Sequence, residues 1–292
     1  MTRLLAIPNV SEGRDDTVIG AIAGAFGERL LDVHRDPDHH RSVFTLAGPP
    51  GSLAPAVLAG ARAVLEQVDV AAHEGIHPRV GAIDVAPIVY LDETDRGAAC
   101  AEALVLADLL GDQLELPVFL YGALGADRTR AELRRGGPAA LAARVAAGEL
   151  IPDFGPRRLH PRGGAVLVAA RAPLVAFNVE LAPPATLLDA QRIAGRIREG
   201  GPDGLPGVRA IGLWLDQLGV AQVSTNVEDH HASALADVVA AVAHQAPVSG
   251  TELVGLAPRS AFRGFPEDVP VRGKRILEDV LSNLEPTRAQ AD

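Results

Sequence analysis

The chain of 292 residues holds one cysteine, one tryptophan and one methionine. With only Cys100, no intramolecular disulfide can form and a metal centre built on several thiolates is excluded; a reducing compartment is expected. Long hydrophobic runs are missing too: no apolar stretch approaches about 18 residues, so no membrane span is expected. The N-terminal string MTRLLAIPNVSEGRDD lacks the apolar core of a secretory signal, and a cytoplasmic location is the expectation. A basic surplus is absent as well. With 27 basic and 37 acidic residues the formal net charge is −10, which argues against nucleic acid or an anionic membrane as the main partner. Small-molecule substrates remain, since a local cluster of arginines can oppose the global sign.

The length exceeds one ordinary domain, and two domains of about 100–180 residues each are expected. Hydropathy periodicity and turn residues divide the chain. Leu4–Ile7 is a short apolar run ended by Pro8, and Ser11 or Asp15 caps a helix carrying Val18, Ile19, Ile22 and Phe26. Leu30–Val33 and Ser42–Gly48 read as strands, Ser52–Gln67 as a helix and Ile83–Tyr90 as a buried strand. That order, β-α-β-β-α-β, is the ferredoxin-like split motif, an antiparallel sheet covered on one face by two helices. A helix near Thr94–Gly111, a strand at Pro117–Tyr121, one or two helices up to Ala147 and a strand at Ala165–Ala169 follow. The order then recurs: strand Leu174–Leu181, helix Ala185–Arg198, strands Val208–Leu215 and Val220–Val227 around a tight turn near Gln217–Gly219, helix Ser233–His244, strand Glu252–Leu256. The topology repeats while the sequence does not. The fold class is therefore α+β, two ferredoxin-like subdomains side by side, residues 1–172 and 173–292, with a ligand cleft expected between them. Glu285–Asp292 is polar and is expected to fray.

The histidines are unevenly spread. Of nine, five fall in two loops: His34, His39 and His40 in one, His73 and His77 in the other. Loops on a rigid scaffold carry much of catalysis, and imidazole is the side chain suited to proton transfer near neutrality. His73-Glu74-Gly75-Ile76-His77 also matches the HExxH zinc pattern. That pattern needs a helix, Gly75 weakens one, and Pro78 disfavours helical backbone at His77; no metal is expected. Arg79 after His77-Pro78 offers a planar fork for carboxylates, or a solvated turn residue. Asp84 can pair with a histidine or an arginine or cap an element. The stretch Asp153–Gly164 gathers Arg157, Arg158, His160 and Arg162 among glycine and proline, and reads either as an anion-binding loop or as an exposed connection. Asn9 with Ser11-Glu12-Gly13, Phe177-Asn178 and Ser224-Thr225-Asn226 read on their own as turns and caps.

Taken in order, these strings resemble the glutamate formiminotransferase family. The matching residues are Pro8-Asn9-Val10-Ser11-Glu12-Gly13-Arg14, Leu30-Leu31-Asp32, Asp36-Pro37-Asp38-His39 with Arg41-Ser42-Val43, and His77-Pro78-Arg79 with Gly81-Ala82 and Asp84-Val85. Pro152-Asp153-Phe154-Gly155-Pro156, Ala176-Phe177-Asn178, Ala210-Ile211-Gly212, Ala221–Asn226 and Leu253-Val254-Gly255-Leu256 complete them. The resemblance implies two ferredoxin-like subdomains and transfer of a formimino group from N-formimino-L-glutamate to N5 of tetrahydrofolate, a step of histidine breakdown. Tetrahydrofolate is then a co-substrate. The helical cyclodeaminase portion of the two-function relatives is absent, so only the transferase is implied. The family's catalytic histidine maps onto His77. Its folate-binding loop maps onto Gly155, Pro156, Arg157, Arg158, Leu159, His160, Pro161, Arg162, Gly163 and Gly164. Asn9, Arg41, Arg79, Asn178 and Thr225 are candidates for substrate binding, and a homodimer is compatible with the resemblance. Family members carry Asn where this chain has His40, and some carry an acidic residue at His34 and Asn at Glu180. These departures leave a different formimino or formyl donor, or a folate-binding protein without catalysis, as the alternatives.

Overall fold

A computed structural model describes residues 3–75 and 78–283. The protein is mixed α+β with two sheets, and the chain divides into two compact units, Met1–Ala172 and Pro173–Asp292.

The first unit runs β1 (Leu4–Ala6), β2 (Asn9–Val10), α1 (Asp16–Phe26), β3 (Leu30–Asp36), β4 (Arg41–Gly48), α2 (Leu53–Gln67), β5 (Ile83–Val85), β6 (Ile88–Tyr90), α3 (Arg96–Gln113), β7 (Val118–Leu120), α4 (Arg130–Arg134), α5 (Gly137–Ala146), β8 (Val166–Val168) and β9 (Ala170–Arg171). Several of these strands are halves of longer ones. Proline has no N–H to give a ladder, so Pro8 separates β1 from β2. Pro87 likewise splits into β5 and β6 what the sequence reads as one strand over Ile83–Tyr90. The breaks are bridged by Ile7 N–H to Pro87 O at 3.0 Å and Phe44 N–H to Pro8 O at 3.0 Å. The β1–β2 line is antiparallel to β4 on one side and to β5–β6 on the other, and β3 pairs with the far edge of β4. Beyond β5–β6 lie β8–β9 and then β7, all in parallel pairing.

Alternation decides the layers. Val166 and Val168 join Leu4, Ala6, Phe44 and Leu46 in the core beneath α1, α2 and α3, while Leu167 and Ala169 turn the other way, toward Leu133 of α4 and Leu141 and Val145 of α5. Asp15 is the cap of α1: its Oδ1 accepts from Thr17 N at 2.8 Å and Val18 N at 3.1 Å. Ser11, the other capping candidate, spends its hydroxyl on Gly81 O at 2.9 Å.

The second unit runs β10 (Val175–Leu181), α6 (Leu187–Ile197), β11 (Val208–Leu215), β12 (Val220–Val227), α7 (Leu235–Ala243), β13 (Val248–Val254), β14 (Val271–Arg272) and α8 (Leu277–Ser282). Its sheet order is β11-β12-β10-β13-β14, antiparallel except for the last pair. Val175, Phe177, Val179 and Leu181 face α6 and α7 through Ile193, Ile197, Leu235 and Val238. The alternate residues Asn178 and Glu180, with Gln222 and Glu252 beside them, put buried polar groups on the opposite face. Strand β13 begins at Val248, ahead of the expected Glu252, because Ser249-Gly250 reads as a turn while the ladder carries it as strand. Strand β14 and helix α8 are too short to leave a periodic signal. Glu285–Asp292 lies outside the described residues.

One buried side chain ties helices across the first unit. Glu102 of α3 accepts from the backbone N–H groups of Gly51, of Leu53 at 2.9 Å and of Ala54 at 2.6 Å, closing the start of α2, where Ser52 makes no side-chain cap. Free helix N–H groups that are buried cost stability. Glu102→Ala is therefore expected to lower the unfolding free energy by about 2–3 kcal/mol, read as a lower urea midpoint with an unchanged slope; a shift within error would mean that water replaces the carboxylate.

Candidate functional site

The hairpin between β3 and β4 is fastened by one buried carboxylate. Asp36 pairs across the strands with Arg41. Its Oδ1 accepts from His39 N at 3.0 Å, and its Oδ2 lies 2.7 Å from His39 Nδ1 and 3.5 Å from Arg41 Nε. Burial pushes the Asp36 carboxyl up, but the His39 hydrogen bond and the Arg41 charge outweigh it and hold the group well below the usual carboxylate range. Arg41, a substrate-binding candidate, has a side chain only 11% exposed, and its charge is directed at Asp36.

With His39 fixed, His40 enters the left-handed region at φ 50°. Its Nδ1 accepts from Gly13 N at 3.1 Å, so that nitrogen carries no proton. Glu12 Oε1 stands 3.6 Å away, too far for a hydrogen bond, while that same oxygen accepts from Arg14 N and Asp15 N. The His40 ring stacks on His73 with centroids 4.2 Å apart. His73 Nε2 is 2.9 Å from His40 O; a carbonyl only accepts, so this nitrogen is the donor. The two histidine loops therefore meet. Burial, and then the charge of Arg79, push His73 down to about 4. Burial also lowers His40, with Arg14 and Arg79 adding to it against Glu12. Both rings are neutral at pH 7.

Arg79 donates to Gly75 O at 2.9 Å and to His73 O. Its fork thus holds the backbone just ahead of Ile76 and His77. His77, the catalytic residue that the resemblance implies, lies outside the described residues. His73 and Glu74 are in irregular backbone after a single 3₁₀ turn, not on the helix that the HExxH pattern needs. Among the described residues no three His, Cys, Asp or Glu side chains are placed to hold a metal ion. Asp84 takes the arginine option: Oδ1 accepts from Val80 N at 2.8 Å, and Arg134 of α4 pairs with both oxygens. Arg134 lies 50 residues away on a helix with no motif, and nothing in the sequence points to it.

The loop Gly155–Gly164 is exposed in its middle and fixed at its end. Arg157 and Arg158 are exposed. Arg158 stands 4.0 Å from Glu115 and Arg162 stands 3.7 Å from Asp69, surface pairs that contribute little and leave the guanidinium groups open to an anion. His160 and Gly164 exchange two backbone hydrogen bonds of 2.8 Å, and His160 Nδ1 accepts from Gly163 N at 2.8 Å. The loop end is then joined to the other motifs: Ala82 N to Gly163 O at 2.9 Å, Ala165 N to Val80 O at 3.0 Å, Val70 N to Arg162 O at 2.8 Å. Ser11 N reaches Ala82 O at 2.8 Å. A Cβ on Gly81 would collide with Ala165 O and Gly163 O, so only glycine allows this approach.

The structure thus gathers Ser11–Gly13, His40, His73, Arg79–Ala82 and Gly163–Gly164 in one place. Asn9 is nearby, half-buried in β2 between Val43 and Val85, its side-chain amide on Ile7 O at 3.3 Å. Asn178 and Thr225 belong to the second unit and face apart. Thr225 donates to Phe177 O, and Asn178 donates to Glu252 Oε2 at 3.0 Å on the opposite face of the sheet.

His73 supplies a direct test. Its side-chain resonances should stay those of a neutral ring from pH 7 to below 5 and titrate near 4. Arg79→Gln removes a positive charge and should move that midpoint up. Because the folded pKa is depressed, the stabilising effect of a neutral His73 is complete above the unfolded value of 6.5 and declines as pH falls toward 4. A midpoint near 6.5 in both proteins would contradict this arrangement.

Residues 3–171 match the formiminotransferase domain, N-terminal subdomain, and residues 176–264 match the formiminotransferase domain. Glutamate formimidoyltransferase of Streptococcus pyogenes serotype M1 is 34% identical over 268 residues, covering 88% of this chain and 89% of that protein. The protein of the same name from Thermoplasma acidophilum is 31% identical, with 90% of each chain covered. Formimidoyltransferase-cyclodeaminase of Sus scrofa is 38% identical over 278 residues, 88% of this chain. The chain spans about half the length of the formimidoyltransferase-cyclodeaminases that it matches. With its ordered motifs gathered at one place in the first unit and both parts of the domain matched in sequence, the chain belongs to the formiminotransferase domain family.

Proposed function

We propose that this chain is a glutamate formimidoyltransferase, moving the formimino group of N-formimino-L-glutamate to N5 of tetrahydrofolate. The observation that carries the reading is end-to-end similarity to stand-alone proteins of that name, about nine-tenths of both chains aligned with the S. pyogenes protein. The units Met1–Ala172 and Pro173–Asp292 are, in this reading, the N- and C-terminal formiminotransferase subdomains. Each is ferredoxin-like, which the strand order around β1–β2 and around β10 supports. A substrate cleft between the subdomains, a cytoplasmic location and a homodimer belong to the same proposal.

In the transfer, N5 must lose a proton and the departing glutamate nitrogen must gain one. A histidine that cycles between base and acid serves both, and we assign that role to His77. Arg157, Arg158 and Arg162 are exposed cations suited to the glutamate carboxylates of a folate tail. The backbone joining Gly163 to Ala82 keeps that loop beside the His77-Pro78-Arg79 motif, and positioning supplies much of what proton transfer does not.

Purified protein mixed with tetrahydrofolate and N-formimino-L-glutamate, without added metal, is expected to release glutamate. His77→Ala should lower kcat by about 10²–10⁴-fold with little change in thermal stability. Undiminished turnover in that variant would remove the assignment, and glutamate release independent of folate would replace the transferase by a hydrolase.

A further inference from the structure

The polar face of the second unit's sheet carries a side chain that nothing satisfies. Gln222 of β12 is 0% exposed, and neither its Oε1 nor its Nε2 has a hydrogen-bond partner among the described residues. Buried amides are nearly always paired, so an unpaired one marks a place where a ligand or water belongs. Directly across the ladder stands Glu180, its Cβ about 5 Å away by the geometry of such pairs.

The surroundings specify the chemistry. Arg272 of β14 donates to Glu180 Oε1 at 2.7 Å and reaches Glu252 Oε1 at 3.2 Å, and Asn178 takes Glu252 Oε2. Both oxygens of Glu252 are thus engaged. Glu180 is engaged through Oε1, while its Oε2 lies over Gly250, 3.3 Å from where a Cβ would stand; the missing side chain leaves the carboxylate room. Two carboxylates face one guanidinium, a formal charge of −1 for the group. Burial disfavours the charge on Arg272, but the hydrogen bond to Glu180 and the charge of Glu252 outweigh it and raise its pKa, so the cation is permanent and committed to its two partners. What the cluster offers a newcomer is Glu180 Oε2 beside Gln222 Oε1, two acceptors on one face, with the Gln222 N–H groups next to them. The Arg272 side chain is 49% exposed, so the cluster reaches solvent on that side.

We propose that Glu180 and Gln222 form a recognition subsite for a planar N–C–N donor edge, an amidine-type group. This rests on the transferase reading, in which two substrates present such an edge: the protonated formimino group of the donor, and the 2-amino-pyrimidinone edge of the reduced pterin. A carboxylate paired with an amide oxygen meets two N–H groups on one carbon, and its charge balances an amidinium.

The test is calorimetric titration of N-formimino-L-glutamate and, separately, of tetrahydrofolate into the wild-type protein, Glu180→Gln and Gln222→Met. Both variants should lose about tenfold or more in affinity for one substrate, the magnitude of a hydrogen bond to a charged group, and hold the other within about twofold. Loss for the donor assigns the subsite to the amidinium; loss for tetrahydrofolate assigns it to the pterin. Without ligand, Gln222→Met should melt higher than wild type, since it removes an unpaired buried amide. It serves alone if Glu180→Gln does not fold. Unchanged affinity for both substrates overturns the proposal and leaves the amide to buried water; a fall for both marks a disrupted sheet face and overturns it as well. If the transferase reading itself fails, wild type binds neither substrate. Benzamidine and 6-methylpterin are then titrated in their place, and identical isotherms for wild type and both variants overturn the subsite.

Discussion

The arrangement at the candidate site depends on a backbone contact with no side chain in it. Val80–Ala82 and Gly163–Ala165, some eighty residues apart, are joined by Ala82 N to Gly163 O and Ala165 N to Val80 O. Two strands approach this closely only if Gly81 has no Cβ and Gly164 takes positive φ. The contact lies between the end of the arginine-bearing loop and the motif that follows Arg79. Main-chain bonds between buried segments hold position better than exposed ion pairs, which long side chains form and lose at little cost. Arg158 and Arg162 stand in ion pairs of that exposed kind. The fold therefore fixes where the loop is anchored and leaves its cations free to adapt to an anion.

The two units handle buried charge differently. In the first, Asp36, His39 and Arg41 form a compact group whose hydrogen bonds are made within one hairpin. Such a group specifies a loop geometry more than it adds net stability, and the geometry it specifies is the turn that presents His40 to Gly13 and His73. In the second, Glu180, Glu252 and Arg272 draw on three strands, and one carboxylate exceeds the cation count. An unbalanced buried carboxylate with an unpaired amide beside it is expensive in an empty protein. It becomes favourable once a cationic or donor-rich group arrives, which is how a binding surface differs from a structural pair.

Much of this was legible in the sequence, for identifiable reasons. Strands and helices with clean periodicity, such as Val208–Leu215, Val220–Val227 and Leu187–Ile197, fall where apolar spacing places them. The ordered motifs carried the family. Proline was decisive at Pro8 and underweighted at Pro87, where a continuous apolar run hides a break that only the missing N–H reveals. The short elements β14 and α8 left no pattern, since two to six residues cannot display a period. The partners that define the sites were hidden for another reason: Arg134 reaches Asp84 across 50 residues, and Arg272 reaches Glu180 across 92. Neither arginine sits in a motif, and pairing of that range is set by sheet order and helix placement. Gln222 stood inside a matched string, Ala221–Asn226, yet its lack of a partner could be read only from coordinates.

The histidine clusters show how structure changes the weight of a sequence signal. Five histidines in two loops suggest a set of interchangeable proton carriers, but their rings are not equivalent. His39 is 1% exposed and held by Asp36. His40 accepts from Gly13 through Nδ1 and its pKa is lowered by burial. His73 donates to His40 O and is pushed to about 4, so it stays neutral across the range where a general acid–base must cycle. These three act as walls and fasteners, and the positive charge of Arg79 keeps two of them uncharged. A general base poised near neutrality gains from neutral neighbours, because added cations would depress its pKa and carboxylates would raise it. That argument supports giving the proton transfers to His77 and not to the imidazoles beside it. It also accounts for His40 at a position where family members carry Asn: in this chain its ring accepts the Gly13 N–H, which an amide oxygen can do as well, and the substitution leaves the donor chemistry untouched.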